Sequence, residues 1–216
     1  MNNYSYGAYN KFDDQEQWIR ITEGCPHNCP YCYEPKEFKV FQIPEIIRNK
    51  VKIIDMNLLC KPESLKILKE LSEKKVNNKV VYYDLTCGID YRFLTQDLAD
   101  ALKKCRVKKI RIAWDWLFKD QYKIKDAIKL LLKAGYKPIN IQIFIICNWK
   151  IPYSECVQKL DLLKVWNVQV ADCYFDNQLS PNIKPLNWNK DEIKYFRKRC
   201  RKHNQLILFR IDPEVK

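Results

Sequence analysis

The feature that most constrains the fold is a regular alternation of apolar, β-branched segments with helical patterns, repeating about every 30 residues. The apolar segments are predicted to be strands at 18–21, 51–54, 79–83, 109–113, 139–146, 168–171 and 206–211. Helices are predicted between them at 45–49, 63–75, 96–105, 122–134, 154–166 and 191–202. Because each connection has the length of a helix, successive strands are expected to pair in parallel with right-handed crossovers.

This alternation determines the predicted fold class. Six units and a final strand fall short of the eight units of a closed (β/α)8 barrel. The pattern therefore predicts an α/β fold, a partial open (β/α)6 barrel of parallel strands that is TIM-like. A doubly wound open sheet is the alternative, because the period does not determine strand order. A single domain over 1–216 is predicted, with a core at about 18–176 and a C-terminal helix and last strand at 177–216.

Composition excludes several kinds of site and protein. The chain has four glycines, no two of them closer than 17 residues, whereas dinucleotide and P-loop cradles need glycines a few residues apart. His27 and His203 are the only histidines and form no paired-histidine zinc motif. The longest apolar run, 143–147, is far shorter than the roughly 18 residues of a membrane helix, and 1–11 lacks the apolar stretch of a signal peptide. A cytoplasmic protein is therefore predicted.

The ten cysteines are not expected to form a disulfide framework, because cytosolic thiols are kept reduced. Seven are scattered singly and are interpreted as small buried apolar residues: Cys60, Cys87, Cys105, Cys147, Cys156, Cys173 and Cys200. Four of these follow predicted strand ends, but their spacing matches no compact ligand motif for an auxiliary cluster.

The other three cysteines lie together after the first predicted strand as Cys25-x3-Cys29-x2-Cys32. Three thiolates in so short a loop are expected to bind a metal. A structural zinc site takes four protein ligands, so the fourth would have to be His27 or a distant cysteine. An iron–sulfur cube normally has four cysteine ligands, so three would leave one iron open for a substrate or cofactor.

The motif Cys25-x3-Cys29-x-Tyr31-Cys32, which follows the first strand of a predicted six-unit barrel, resembles that of the radical S-adenosylmethionine (SAM) superfamily. The resemblance extends over about 18–176. It implies that Cys25, Cys29 and Cys32 hold one [4Fe-4S] cluster, whose open iron binds SAM, and that Tyr31 flanks the adenine. It further implies one-electron cleavage of SAM to a 5′-deoxyadenosyl radical, which abstracts a hydrogen atom from an unidentified substrate, with the protein supplying placement and exclusion of water.

Further SAM-binding residues are expected at the other strand ends. The superfamily usually carries a Gly-Gly-Glu-like stretch after strand two; this chain departs from that pattern, and Asp55 or Asn57 is expected to accept the ammonium hydrogens. Asp55 capping the following turn is the alternative. Arg92 is expected to grip a carboxylate bidentately or to be a surface charge. Asp115 is expected to bind the ribose hydroxyls, or else to pair with a neighbouring lysine.

The net charge of +13 concentrates at 103–111 and 194–202. These segments predict a solvated face, a footprint for RNA or DNA, or a docking surface for an acidic electron donor such as flavodoxin or ferredoxin. The donor is favoured because radical chemistry requires one, and no membrane partner is predicted. Two non-enzymatic functions stay open: an iron–sulfur electron carrier with a fourth cysteine ligand, and a zinc-stabilised nucleic-acid-binding module. An open barrel suggests a large substrate such as RNA or a peptide.

Overall fold

A computed structural model describes residues 6–29, 32, 34–115, 118–174 and 188–209. The strands are β1 (Tyr9–Phe12), β2 (Gln17–Arg20), β3 (Thr22–Glu23), β4 (Lys39–Val40), β5 (Lys50–Ile53), β6 (Lys75–Val76), β7 (Lys79–Val80), β8 (Tyr82–Leu85), β9 (Ile110–Ala113), β10 (Ile141–Cys147) and β11 (Gln169–Tyr174). The helices are α1 (Ser64–Glu73), α2 (Gln96–Lys104), α3 (Gln121–Lys133), α4 (Tyr153–Val165) and α5 (Lys190–Phe209), with short 3₁₀ helices at Leu58–Cys60, Tyr91–Phe93, Phe118–Asp120 and Pro138–Asn140.

The chain divides into two compact units. The first comprises Met1–Arg111 and Lys129–Tyr136, and the second comprises Ile112–Ile128 and Lys137–Lys216. The division reflects internal packing and does not test independent folding, so the single-domain organisation stays a prediction.

The first unit contains a four-stranded sheet of order β1-β2-β5-β8. β2 pairs in parallel with β5, and β5 with β8, so that Ile19, Ile53 and Leu85 lie in one row across the sheet. All three side chains are buried, as alternation along a strand with one covered face requires. α1 packs against α2 in this unit. The alternation is confirmed for β5 and β8, which α1 separates, whereas the described residues between β2 and β5 contain no helix.

The second unit contains a three-stranded sheet of order β11-β10-β9. β10 pairs in parallel with β11, with Ile143 opposite Val170. β10 is buried along most of its length, which explains its mostly apolar sequence. α4 packs against β10, and α5 packs against β11.

Two predicted elements are wrong. The helix expected at 45–49 is absent, and this segment has no regular structure. A five-residue helix gains too few backbone hydrogen bonds to offset nucleation. Instead, the Gln17 side chain donates to the Glu45 carbonyl oxygen at 2.9 Å and accepts from the Ile47 amide at 2.9 Å. The backbone groups of this segment are therefore satisfied without a helix.

The last strand, expected at 206–211, is also wrong, because α5 continues to Phe209. Its buried positions, Phe196, Cys200, His203 and Ile207, follow helical spacing, and nothing breaks the helix before the apolar run. Residues 210 and 211 lie outside the described part of the chain.

The architecture is thus mixed α/β with parallel sheets. The described strands do not close into a barrel, since they form one four-stranded, one three-stranded and two two-stranded sheets. Within the described residues, no helix is both long and apolar enough to cross a membrane.

Candidate functional site

The predicted site begins with the cysteine loop, which we define as residues 24–38. β3 and β4 pair antiparallel at its base, with Thr22 opposite Val40, and the Cys25 amide donates to the Pro35 carbonyl oxygen at 2.8 Å. Gly24 has φ +95°, and a Cβ there would overlap the Glu37 carbonyl oxygen. Only glycine permits this backbone approach, so Gly24 determines how the chain enters the loop.

The three cysteines of the loop are partly buried and form no disulfide. The Cys32 amide donates to the Cys29 carbonyl oxygen at 3.0 Å. Two of the sulfurs accept hydrogen bonds: Cys25 Sγ from Asn57 Nδ2 at 3.3 Å, and Cys32 Sγ from the Glu34 amide at 3.5 Å. N–H donors to sulfur stabilise thiolates and are among the contacts that tune the potential of an iron–sulfur cluster.

The ionisation of these thiols differs. Hydrogen bonding with Cys60 and then with Asn57 lowers the pKa of Cys25 to about 5, although burial opposes this. Burial raises the pKa of Cys32 to about 11. Cys25 is therefore in the ligating thiolate form at neutral pH, whereas Cys32 has to release a proton when it binds a metal.

The donor set of the cysteine loop consists of thiols, which are the usual protein ligands of an iron–sulfur cube. Among the described residues, no three histidine, cysteine, aspartate or glutamate side chains are grouped to hold a metal ion. Thiolates that bind a cube attach to different irons and need not converge on one point. Three partly buried thiols on one loop, two of them with N–H donors, therefore fit a cube with one open iron.

Asp90 connects three segments around the loop, and sequence reasoning missed it. Its Oδ2 lies 2.9 Å from Nε2 of His27 in the cysteine loop. Arg92 Nε and Nη2 donate to its two oxygens, each at 2.8 Å. Asn57 Nδ2 donates to Oδ2 at 3.4 Å. Arg92 thus holds the carboxylate of Asp90 bidentately, and its binding of a SAM carboxylate stays a prediction.

Asn57 is the predicted residue with an open acceptor. The residue is only 6% exposed, and no described group donates to its Oδ1. A buried acceptor without a donor costs about 1–3 kcal/mol, so this oxygen favours a ligand that carries N–H or O–H groups.

Asp55 lies at the base of the site. Its oxygens accept from the Ile21 amide at 3.0 Å and from Thr22 Oγ1 at 2.5 Å, and burial raises its pKa to about 6. It thereby ties the end of β5 to the strand that enters the cysteine loop. Its binding of the ammonium group stays a prediction.

Asp115 and Tyr31 are the remaining predicted site residues. Asp115 belongs to the second unit. Burial of Cys173 and, to a smaller extent, the charge of Asp115 raise the pKa of that cysteine to about 12. Tyr31 lies outside the described residues. Their roles towards ribose and adenine stay predictions.

Comparison with known proteins places the fold. Neither a protein-family model nor a curated protein matches the chain. Two solved structures of the radical SAM methyltransferase TsrM from Kitasatospora setae are similar, both at 10% identity. One, with cobalamin and a [4Fe-4S] cluster bound, has a TM-score of 0.56 and covers 73% of this chain and 36% of that one. The other, with tryptophan substrate and the SAM analogue aza-SAM bound, has a TM-score of 0.57 and covers 74% and 35%.

The fold of this chain is therefore similar to that of part of TsrM. The chain spans about a third of the length of the TsrM structures, as the 36% and 35% coverages state. At 10% identity the likeness concerns the fold and does not extend to the activity.

Sequence reasoning also missed Cys60 and Lys61. Burial of Cys60 is confirmed, as it is for Cys105, Cys147, Cys156 and Cys200, whereas Cys87 and Cys173 are partly exposed. Cys60 nonetheless contacts Cys25. Lys61, 3% exposed, donates from Nζ to the Gly24 carbonyl oxygen and to Cys60 Sγ, the latter at 3.1 Å. The sequence signal that could have identified them is a cysteine followed directly by a lysine, shortly after the end of a strand.

Proposed function

We propose that this chain is a radical SAM enzyme that binds one [4Fe-4S] cluster through Cys25, Cys29 and Cys32. The observation that carries the proposal is a three-cysteine loop, closed at its base by β3 and β4, in a radical SAM-like fold. When bound, the cluster and SAM supply one-electron cleavage to a 5′-deoxyadenosyl radical that abstracts a hydrogen atom from the substrate. We also propose that the fold is a partial open (β/α)6 barrel.

The residues around the loop bind and orient SAM in this proposal. Asn57 holds the Cys25 sulfur with its amide nitrogen and offers Oδ1 to the ammonium group of SAM. Arg92 uses two of its five N–H groups on the side chain of Asp90, which leaves the others for the carboxylate of SAM. Asp55 supports Asn57 from the base of the site or accepts ammonium hydrogens. Asp115 binds the ribose hydroxyls, and Tyr31 flanks the adenine.

The partner that we propose is an acidic electron donor, a reduced flavodoxin or ferredoxin-type protein. α5 carries cations along its length, and among its described residues Arg199 pairs with Asp161 at 3.0 Å. Such a surface attracts an acidic partner at low ionic strength. RNA or DNA on the same basic surface is the other partner proposed. A cytoplasmic location and a large substrate such as RNA or a peptide complete the proposal.

The experiment is anaerobic assembly with iron and sulfide, followed by addition of SAM and dithionite. We expect a brown protein with about four irons and four sulfides per chain, an electron paramagnetic resonance signal that changes when SAM binds, and 5′-deoxyadenosine as a product. The Cys29→Ser variant is the control that should load poorly. If S-adenosylhomocysteine forms and 5′-deoxyadenosine does not, the reaction is methyl transfer and the proposed hydrogen abstraction is wrong. A coloured protein whose electron paramagnetic resonance signal does not change on addition of SAM would indicate an electron carrier. A colourless protein that binds zinc would indicate the nucleic-acid-binding module.

A further inference from the structure

Cys60 lies against the cysteine loop, although 35 residues separate it from Cys25 in the sequence. It ends the 3₁₀ helix Leu58–Cys60 that follows β5. Its Sγ lies 3.1 Å from the Asn57 carbonyl oxygen and 3.8 Å from that of Gly24, the residue before Cys25. Interaction with the Cys25 side chain and then burial raise the pKa of the Cys60 thiol, and Lys61 opposes this. Two reduced sulfurs from different segments therefore lie close together.

The surroundings of this pair favour thiol chemistry. Lys61 Nζ lies 3.1 Å from Cys60 Sγ and is itself buried. A cation at this distance stabilises the negative charge that sulfur carries when it attacks or leaves a disulfide. Cys25 is partly exposed, so a small disulfide can reach it. The hydrogen-bonded pair Cys147 and Cys156 of the second unit is fully buried and denies such access.

We propose that Cys25 and Cys60 form a reversible disulfide that locks the cysteine loop when no cluster is bound. The oxidant is a small-molecule disulfide of the glutathione type. The Cys25 thiolate attacks one of its sulfurs, forming a mixed disulfide and releasing one thiol. The Cys60 thiolate then attacks the Cys25 sulfur, forming the Cys25–Cys60 bond and releasing a second thiol. The two protons of the protein thiols end on the released thiols, and the protein supplies the two electrons that reduce the oxidant.

The lock removes one ligand of the cluster. A Cys25 sulfur bonded to Cys60 cannot bind iron, and the bond ties the loop to the segment after β5. Cluster assembly then waits for a reductant, as expected of a cytosolic disulfide that senses redox conditions. This consequence rests on the proposed function, whereas the disulfide itself does not.

The test equilibrates the full, cluster-free chain anaerobically with glutathione buffers of increasing oxidised fraction, then blocks free thiols and maps the peptides without reduction. We expect the loss of two of the ten thiols, a dominant Cys25–Cys60 cross-linked peptide, and reversal by dithiothreitol. Iron uptake of the oxidised chain should fall at least ~10-fold, since even outer contacts of a metal site are worth about 10–100-fold in affinity. Dithiothreitol should restore it.

Three variants sharpen the result. Cys60→Ser should stop at the mixed disulfide of Cys25 with glutathione, so the cross-linked peptide should disappear and one glutathione should stay on Cys25. Cys105→Ser, at another buried cysteine of the first unit, should behave as the parent chain. Lys61→Gln should form the same disulfide more slowly.

Several outcomes overturn the lock. These are a cross-link confined to Cys25, Cys29 and Cys32, the retention of all ten thiols at every ratio tested, or a Cys60→Ser chain that carries no glutathione on Cys25. If the Cys25–Cys60 peptide forms but the reduced chain takes up no iron and sulfide, the proposed function fails and the disulfide stands. The peptide map needs no variant, so the test remains decisive if a substitution prevents folding.

Discussion

Two regions of the molecule bring cysteines together, and they differ in what surrounds the sulfur. In the first unit, hydrogen bonding with Cys60 lowers the pKa of Cys25 to about 5. In the second, hydrogen bonding with Cys156 and then burial raise the pKa of Cys147. Polar groups stand beside the first pair, with Asn57 donating to Cys25 and Lys61 to Cys60.

The comparison teaches that proximity of thiols does not make a site. Cys147, Cys156 and Cys200 are fully buried, as packed small apolar residues are. The cysteine loop is partly exposed and is surrounded by hydrogen-bond donors and charges. A metal needs thiolates, and the hydrogen-bond donor beside Cys25 stabilises one.

The largest expected effect separates the two regions directly. Cys29→Ser should abolish assembly of the iron–sulfur cluster, because it leaves two thiolates where three are needed. Cys156→Ser should leave the bound iron per chain unchanged and only lower stability. Iron and sulfide analysis after anaerobic assembly measures both. Equal losses of iron in the two variants would contradict the distinction between the regions.

A substitution at Gly24 should disrupt the backbone conformation with which the chain enters the cysteine loop. Gly24→Ala combines a φ of +95° with overlap of the Glu37 carbonyl oxygen, so the free energy of unfolding should fall by about 2–4 kcal/mol. Gly135→Ala is the matched control in the same unit. Its φ is +88°, but a Cβ would come no closer than 3.8 Å to another atom, so about 1 kcal/mol is expected. Urea unfolding of both cluster-free variants measures the difference, and similar losses would refute the role of close approach.

Asp90 tests whether the polar network positions the loop. Asp90→Ala removes the partner of His27 and Arg92, and we expect iron affinity to fall by about 10–100-fold. Asp84→Asn is the control, because Asp84 pairs with Arg111 in the same unit. Competition with a chelator measures affinity. If the iron affinity of Asp90→Ala is unchanged, Asp90 does not contribute to the site.

The smallest effect concerns pH and Asp55. Burial raises its pKa to about 6, so between about pH 4 and 6 the folded chain binds a proton that the unfolded chain has lost. Stability from this group is complete below the unfolded pKa and is lost as pH rises through 6. Asp55→Asn lacks this titration, so its stability relative to the parent chain should increase by on the order of 1–2 kcal/mol from pH 5 to pH 8. Urea unfolding at both values measures the change, and a constant difference would contradict the buried carboxylate.

Local patterns made part of this structure predictable. The alternation of apolar strands and amphipathic helices recurs over short windows, and it correctly predicted parallel pairing of β2, β5 and β8. The cysteine motif is likewise local, because its three residues and two prolines lie within eight positions. Periodicity failed where it was ambiguous. The apolar run from Leu206 to Phe209 suits a strand, yet it continues α5 because Ile207 completes a buried helical face.

The amino-acid sequence by itself determined the fold class and the three cysteines, because both are expressed in neighbouring residues. Tertiary structure alone decided which groups meet them. Cys60 and Asp90 reach the cysteine loop because parallel pairing brings the segments after β5 and β8 to the same end of the sheet. The positions of Cys60 and Asp90 in the sequence, far from Cys25, do not predict this proximity. Strand register, a long-range property, therefore decides which thiol, amide and carboxylate surround the site.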